Sequence, residues 1–404
     1  MKKRSLLLSQ YYYPCNAPGS HRCAKLAKYL PRFGWEPVVL CADAVPENSL
    51  GLYDTRLEGQ DPCETIRVSY PHYPIGTVQG LIEHYILDRY ACQVSPWALY
   101  RRMLERGREA LKQHHFDVLW ATSPSIMTLN VAGRLAKEFG LPFAADLRDL
   151  VHETHTKPDI TCRWQTRLEM KVCKAADALI IVTEPLGQWL AERHDVPVHV
   201  IPNGFDPDDF PPVDDRKTKY FDIVYAGSVY SGRDPTPLLD ALDIILEEGH
   251  DISKLRLQFY GVDDFTLAPF IDGRRCRDVT FVEDRIPLHD MIRVMQRASV
   301  LLLLSHVQPG ILPYKIFEYL AAGRTVLSIP SDNSSTDNLL RETAAGVSSA
   351  DPAEIAVLLK RWYAQWQVEG ELPFRGKPDK IAQYTRIKQA QRTAEVLDSL
   401  CISK

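Results

Sequence analysis

The chain has no long apolar run, no patterned cysteines and no excess of positive charge. Its longest apolar stretch, ASVLLLLS at 298–305, falls far short of the roughly 18–20 residues needed to span a bilayer, so no transmembrane helix is expected. The start, MKKRSLLLSQYYYPCN, resembles a leader only superficially. Leu6, Leu7 and Leu8 run straight into Gln10 and three tyrosines. That is too short for the apolar core of a signal peptide and reads as a buried first strand. The 9 cysteines include no C-x-x-C and no Cys/His cluster at metal spacing. An odd, scattered set reads as free thiols in a reducing cytoplasm. No strand is followed by G-x-G-x-x-G, which disfavours a dehydrogenase. Solenoid repeats and low-complexity segments are also missing.

A formal net charge of -4 argues against a nucleic-acid binder, because neutralising phosphates needs a basic surface. The charge is slightly uneven. Residues 1–205 hold 24 Lys+Arg against 22 Asp+Glu, and the remainder holds 24 against 30. The N-terminal half is therefore the one expected to face something anionic.

What is present is a chain of 404 residues, 45% apolar and 25% charged, a composition that suits two globular domains. Short apolar runs alternate with helical patterns. SLLLSQ, PVVLCA, TIRVSY, DVLWAT, PFAADL, ALIIVT and VHVIP read as strands of a first half. HRCAKLAKYLPRFG and SIMTLNVAGRLAKEFG read as helices between them. YFDIVYAG, LRLQFYG, DVTFVE, SVLLLLSH and TVLSIP begin a second sheet, with helices at PTPLLDALDIILEEG, LHDMIRVMQRA, LPYKIFEYLAAG and 351–366. Runs buried on both faces and joined by helices mean parallel βαβ units. The fold class is α/β, two doubly wound Rossmann-like halves in series. IPNGFDPDDFPPVDDRKTK, rich in Pro, Asp and Gly, reads as the linker between them. DKIAQYTRIKQAQRTAEVLDSL reads as one further amphipathic helix.

Ligands of open α/β sheets bind beyond the carboxyl ends of the strands, and with two such domains the cleft between them is the natural site. Five segments stand at such ends. In PGILPYKIFEYLAAGRTV, Pro313 suits a first helical position and Gly323 a helix stop. Lys315 opposes the helix dipole in the first turn, a conflict that a bound diphosphate relieves. Glu318 has the carboxylate to accept from two ribose hydroxyls. The same two residues also fit an ordinary i,i+3 surface pair. In YAGSVYSGRDP, Gly227 and Gly232 allow close backbone approach and Arg233 offers a planar fork for phosphate, unless this is only a turn with Asp234 as helix cap. Gly19 and Ser20 open the first helix, where the glycine can admit a phosphate or sugar. His21 beside them is a donor or simply exposed. In ADLRDLV, Asp146, Arg148 and Asp149 form either a structural pair or a site where a carboxylate, Asp149 above all, orients an acceptor hydroxyl or takes its proton. In VEDRIPLHDM, Arg285 is a candidate nucleobase contact. GVDD at 261–264 reads as a polar turn rather than a metal-binding pair. The helix at 95–115 mixes Trp97, Tyr100 and Leu104 with Arg101, Arg102, Arg106, Arg108 and Lys112. It reads as a solvated face or as a peripheral contact with the inner membrane surface.

These segments stand in a familiar order. IPNGFDPDDF, AGSVYSGRDP, LPYKIFEYLAAGRTV, DVLWATSPS with DLRDL, and the Gly-Ser loop before LAKYL resemble GT-B glycosyltransferases of family 4 over nearly the whole chain. The resemblance implies two Rossmann-like domains facing across a cleft: 1–203 on the acceptor side, 204–378 binding a nucleotide-sugar, and a helix at 379–404 crossing back to the first. It implies retaining transfer from a nucleotide diphosphate sugar to an acceptor hydroxyl. Glu318 matches the ribose-binding acid, Arg233 the residue that stabilises the leaving diphosphate, Lys315 a second such cation and Gly19 the glycine that lets the donor sit close. No metal or other cofactor is required.

One departure stands out. Many members carry Glu-x7-Glu across this loop and helix, yet Gly310 occupies the first position. The chain instead resembles a branch with a Leu-Pro-x-Lys start, in which backbone N–H groups of Gly310, Ile311 and Leu312 meet the sugar. The expected activity is a cytoplasmic glycosyltransferase of surface-polysaccharide type with a lipid-linked or glycan acceptor. Its rivals are a nucleotide-sugar epimerase, a sugar phosphorylase and a catalytically silent nucleotide-sugar-binding scaffold.

Overall fold

The computed structural model describes residues 2–44, 53–69, 77–78, 97–123, 126–150, 160–212, 218–229, 233–305 and 310–402. The chain divides into two compact units, Met1–Asn203 with Arg386–Lys404, and Gly204–Thr385.

In the first unit, strands β1 (Lys3–Ser9), β2 (Trp35–Ala42), β3 (Glu64–Val68), β4 (Val118–Thr122), β5 (Phe143–Asp146), β6 (Ala178–Ile181) and β7 (Val198–Val200) form a sheet of order β3-β2-β1-β4-β5-β6-β7. Every pairing in it is parallel. Helices α1 (Pro18–Tyr29), α2 (Trp97–Gln113), α3 (Ile126–Phe139), α4 (Ile160–Ala175) and α5 (Glu184–Ala191) supply crossovers. The middle of β1 carries an unbroken apolar run for a clear reason. Leu6 and Leu8 pack into one core and Leu7 into another, so both faces of β1 are covered. Each such leucine contributes about 1.5–3 kcal/mol of burial.

The second unit repeats the logic. Strands β8 (Phe221–Ala226), β9 (Leu255–Tyr260), β10 (Thr280–Glu283), β11 (Val300–Leu304), β12 (Thr325–Ile329) and β13 (Gly346–Ser348) run in the order β10-β9-β8-β11-β12-β13, again all parallel. Helices α6 (Thr236–Glu247), α7 (Asp264–Ile271), α8 (Leu288–Arg297), α9 (Lys315–Ala322), α10 (Ser335–Thr343) and α11 (Pro352–Glu369) alternate with them. Val300, Leu302 and Leu304 enter one core while Leu301 and Leu303 enter the other. In each sheet the strand order reverses at one point, between β1 and β4 and between β8 and β11. Those are the places where a doubly wound sheet leaves a crevice.

Several local expectations change. GVDD is no isolated turn, since α7 begins at Asp264. Pro313 stands two residues ahead of α9 rather than at its first position. The last helix is not continuous. A short helix α12 (Pro378–Ile381) tightens into a 3-10 turn, Thr385 is extended, and α13 (Arg386–Ile402) follows. Thr385 is extended because it forms an isolated parallel bridge with Phe205. Gly204 beside it is required by that approach: a Cβ there would lie 2.3 Å from the Tyr384 carbonyl oxygen. The Asn-Gly step of the linker is thus a packing constraint. In the first unit, α13 lays Ala390, Ala394 and Leu397 into the core that holds Leu26 and Tyr29. Asp398 accepts from both Lys3 Nζ (2.9 Å) and Trp35 Nε1 (3.0 Å), which fixes the far end of α13 to β1 and β2.

Candidate active site

The strongest cluster lies at the carboxyl end of the second sheet, at its switch point. Helices α6, α9 and α10 follow β8, β11 and β12, so their N-termini lie at the same end. Two of the three hold a carboxylate of their own. Asp234 accepts from Thr236 N (2.8 Å) at α6. Asp332, buried, accepts from the backbone N–H groups of Ser334, Thr336 and Asp337 (2.9, 2.9 and 3.2 Å) at α10. Asp337 in that first turn is held below the ordinary carboxylate range. Burial pushes it up, but hydrogen bonds from Ser331, Ser348 and backbone N–H groups outweigh burial.

Helix α9 has no side-chain cap bond. Its sequence folds as it does because Ile316, Phe317, Tyr319, Leu320 and Ala322 are buried and Gly323 ends the helix at φ 67°. That packing leaves Lys315 and Glu318 at the partly open N-terminal end. Their side chains are 31% and 12% exposed and form an ion pair, Nζ to Oε2, of 2.7 Å. The cation set against the helix dipole is therefore balanced within the chain itself. Gly310, at φ 88°, turns the loop toward Ile311 and Leu312, both half-buried.

The next residue, Tyr319, joins α9 to the end of β8. Its hydroxyl accepts from Ala226 N at 3.2 Å. Burial pushes its phenol far above the ordinary value. The Glu318 carboxylate adds to that, while the Ala226 bond and the Arg233 guanidinium oppose it. Tyr319, next to Glu318 on α9, is thus bonded to the end of the strand that leads toward Arg233. Arg233 is held by Tyr225 Oη (3.2 Å) and Ser228 O (3.3 Å), and Tyr225 Oη donates to Ser228 O (2.9 Å). Gly227, at φ 148°, lies under this arrangement; a Cβ there would meet Tyr225 Oη at 3.4 Å and Arg233 Nη1 at 3.8 Å. Gly261 after β9 lies next to Gly227 O and to the Arg285 stem, 3.8 and 4.0 Å from its notional Cβ. Arg285, exposed, is thereby placed beside the same strand ends. The structure brings Gly227, Arg233, Arg285, Lys315 and Glu318 to one end of one sheet. Gly232 and residues 306–309 lie outside the described residues.

In the first unit, Gly19 and Ser20 stand in the first turn of α1, and both are buried. Ser20 Oγ is without a partner among the described residues. His21 Nε2 lies 2.6 Å from Asn16 Oδ1, and Asn16 Nδ2 donates to Asp54 Oδ2 (3.2 Å), so this ring is oriented rather than simply exposed. Asp146 belongs to a structural pair. Arg22 Nε and Nη2 donate to its two oxygens at 2.9 and 2.8 Å, with both side chains 1% exposed, and Arg22 Nη1 and Nη2 also reach Asn203 Oδ1 (3.2 Å) and Ile201 O (3.3 Å). Sequence reasoning missed Arg22 because no local rule connects it to a residue 124 positions away. Arg148, drawn down mainly by burial, donates its backbone N–H to Ser123 Oγ (2.8 Å). Asp149 is exposed, the one acid of this segment open to a ligand.

Among the described residues no group of three or more His, Cys, Asp or Glu could hold a metal ion. The seven described cysteines are free thiols. Burial pushes Cys23, Cys41, Cys173 and Cys276 up to about 12, which removes them as thiolate nucleophiles. No described helix is long and apolar enough to cross a membrane. The arginines of α2 are largely neutralised: Arg101 pairs with Glu105, Arg106 with Glu109 and Arg108 with Glu138.

Two doubly wound parallel units, one with cations and a carboxylate at its switch point, define the GT-B architecture. Family models agree. A glycosyl transferase 4-like domain matches residues 19–204 and a glycosyl transferase-like domain matches residues 244–385. The chain belongs to the family 4-like GT-B glycosyltransferases and is an enzyme of that class. Solved structures share the fold. Anabaena HepE in complex with UDP-glucose is 14% identical, with 98% of this chain and 99% of that chain covered at a TM-score of 0.65. A glycosyltransferase from Rickettsia africae ESF-5 is 12% identical, with 100% of each chain covered at 0.65. Sucrose-phosphate synthase from Thermosynechococcus elongatus is 14% identical, with 100% of each chain covered at 0.66. No curated protein matches the chain by sequence.

Proposed function

We propose that the protein transfers a sugar, with retention of anomeric configuration, from a nucleoside diphosphate sugar to a hydroxyl of a lipid-linked or glycan acceptor in surface-polysaccharide assembly. The observation that carries the donor reading is the single turn holding Lys315 and Glu318, connected through Tyr319 to the Gly227 and Arg233 loop. It is supported by the UDP-glucose bound to the HepE relative in its solved structure.

In this reading Glu318 exchanges its Lys315 partner for the ribose hydroxyls. The freed ammonium and the Arg233 fork face the diphosphate. As the glycosidic bond breaks, negative charge grows on the leaving phosphate, and preorganised cations there lower the barrier. Arg285 meets the base, and Gly227 lets the backbone approach the phosphates. Backbone N–H groups at Gly310, Ile311 and Leu312 meet the sugar in place of a distal acid. In the first unit we assign Gly19 and Ser20 to phosphate or sugar contact and Asp149 to the acceptor hydroxyl. The leaving-group charge is carried by side chains, so the proposed transfer needs no cofactor.

A lipid-linked acceptor is supported by the outer face of α4. Arg163, Trp164, Arg167, Lys171 and Lys174 are all exposed there, with Trp164 at 52%. A cationic helix face with an aromatic suits an anionic lipid surface, and it does so better than α2 with its paired arginines. Co-sedimentation with anionic vesicles tests this. Binding that Arg163→Glu with Arg167→Glu abolishes supports a membrane-borne acceptor; no binding by the wild type removes that support.

A further inference from the structure

At the opposite end of the second sheet lies a cavity of about 400 Å³. Its wall includes Thr325 at the start of β12, Arg361, Trp362 and Gln365 on α11, and Leu372 and Arg375 on the segment that follows. Thr325 and Gly346 open β12 and β13, so the cavity faces the amino ends of these strands. Arg233, Lys315 and Glu318 follow strands at the carboxyl ends. No acidic side chain lines it.

Some arginines of this unit are neutralised by carboxylates, Arg256 by Asp222, Arg274 by Asp240 and Asp243 and Arg275 by Glu247. Neither Arg361 nor Arg375 makes a hydrogen bond or ion pair to a described residue, and both are exposed. Two unneutralised guanidiniums in one concavity favour an anion that can accept several N–H bonds at once. The remainder of the wall is mostly apolar, with Trp362, Leu372, Pro373 and Val347, and a polar rim from Thr325 and Gln365. The volume suits a small metabolite.

We infer that this cavity binds a phosphorylated small molecule of sugar-phosphate size, with Arg361 and Arg375 on the phosphate. This goes beyond the transfer reaction and needs no donor. The wall is joined to α9 through the short step from Gly323 to Thr325, so an occupant touches the strand that directly follows the Glu318 helix.

The test is thermal denaturation of the full chain with glucose 6-phosphate, inorganic phosphate and citrate, with UDP in parallel. At tenfold over its dissociation constant, glucose 6-phosphate is expected to raise Tm by about 3 °C. Inorganic phosphate gives a smaller rise. An Arg361→Gln, Arg375→Gln double variant loses both rises, and Arg361→Lys, which keeps charge but not the fork, loses part. Equal rises in wild type and double variant overturn the assignment, as does no rise with either phosphate, or a rise with citrate alone. UDP reads the donor site separately: its rise is retained in the double variant, and its failure in the wild type counts against the donor reading only.

Discussion

Glu318→Ala and Lys315→Ala remove the same ion pair, yet they are expected to do different things. In the free protein the pair is an i,i+3 contact with side chains 31% and 12% exposed. Such a pair stabilises a helix by about 0.2–0.5 kcal/mol, less once solvent screening is counted. Either variant should therefore lose under about 1 kcal/mol of stability. The ligand terms are larger. A hydrogen bond to a charged group contributes about 1.5–3 kcal/mol. With two ribose hydroxyls on one carboxylate and partial compensation by water, Glu318→Ala should weaken nucleoside binding by about 2–3 kcal/mol, or about 30–150-fold in Kd. Titration calorimetry with uridine and with UDP separates the two roles. Glu318→Ala should weaken both ligands by a similar factor. Lys315→Ala should leave uridine within about twofold and weaken UDP by about tenfold. If uridine binding is untouched by Glu318→Ala while both variants weaken UDP alike, Glu318 is only the partner of Lys315 and the ribose clamp is wrong.

Asp146→Ala leaves the buried Arg22 guanidinium without its bidentate partner and should cost about 3–5 kcal/mol in urea unfolding; a loss under about 1 kcal/mol contradicts the structural role given to the pair. Gly204→Ala places a methyl 2.3 Å from Tyr384 O, so it should destabilise by about 1–3 kcal/mol; an unchanged Tm refutes that packing constraint. His194 is buried, with both ring nitrogens lacking a partner among the described residues, and its pKa is drawn down mainly by burial. The unfolded state, at about 6.5, takes up the proton first. The contribution of His194 is full above that pH and is lost as pH falls toward its folded value. Unfolding between pH 7.5 and 5.5 should show a stability slope that His194→Leu reduces, and an identical slope in the variant sinks the assignment.

Much of the fold is legible because buried parallel strands have no polar side: SLLLSQ and SVLLLLSH cannot be amphipathic helices of that length and leave one reading. β13 escapes because GVS is only three half-buried residues with no apolar run. α10 escapes because STDNLLRET is mostly polar, although Asp332 ahead of it is a readable start signal. The interruption at Thr385 has no local signal, because its cause is a bridge to Phe205 far away in sequence. The residues proposed for the donor stand out in the sequence for a different reason. Lys315 breaks a local helix rule, and glycines next to an arginine at strand ends have few other uses. The structure adds that Glu318 already answers Lys315, so a helix-rule conflict alone does not call for a ligand. The structure also ties the helix of Lys315 and Glu318 to the end of β8 through the buried Tyr319 hydroxyl on Ala226 N, a contact no local sequence rule shows.

The most direct measurement is turnover of a panel of nucleoside diphosphate sugars by the purified protein, with an acceptor sugar present, followed by NMR of the anomeric proton. One donor should be consumed, with release of its nucleoside diphosphate and a product of the donor's own anomeric configuration, and Arg233→Ala should lower kcat more than it raises KM. A product of inverted configuration, or no donor turned over by a protein that binds nucleoside diphosphate, would contradict retaining transfer from the Lys315, Glu318 and Arg233 site.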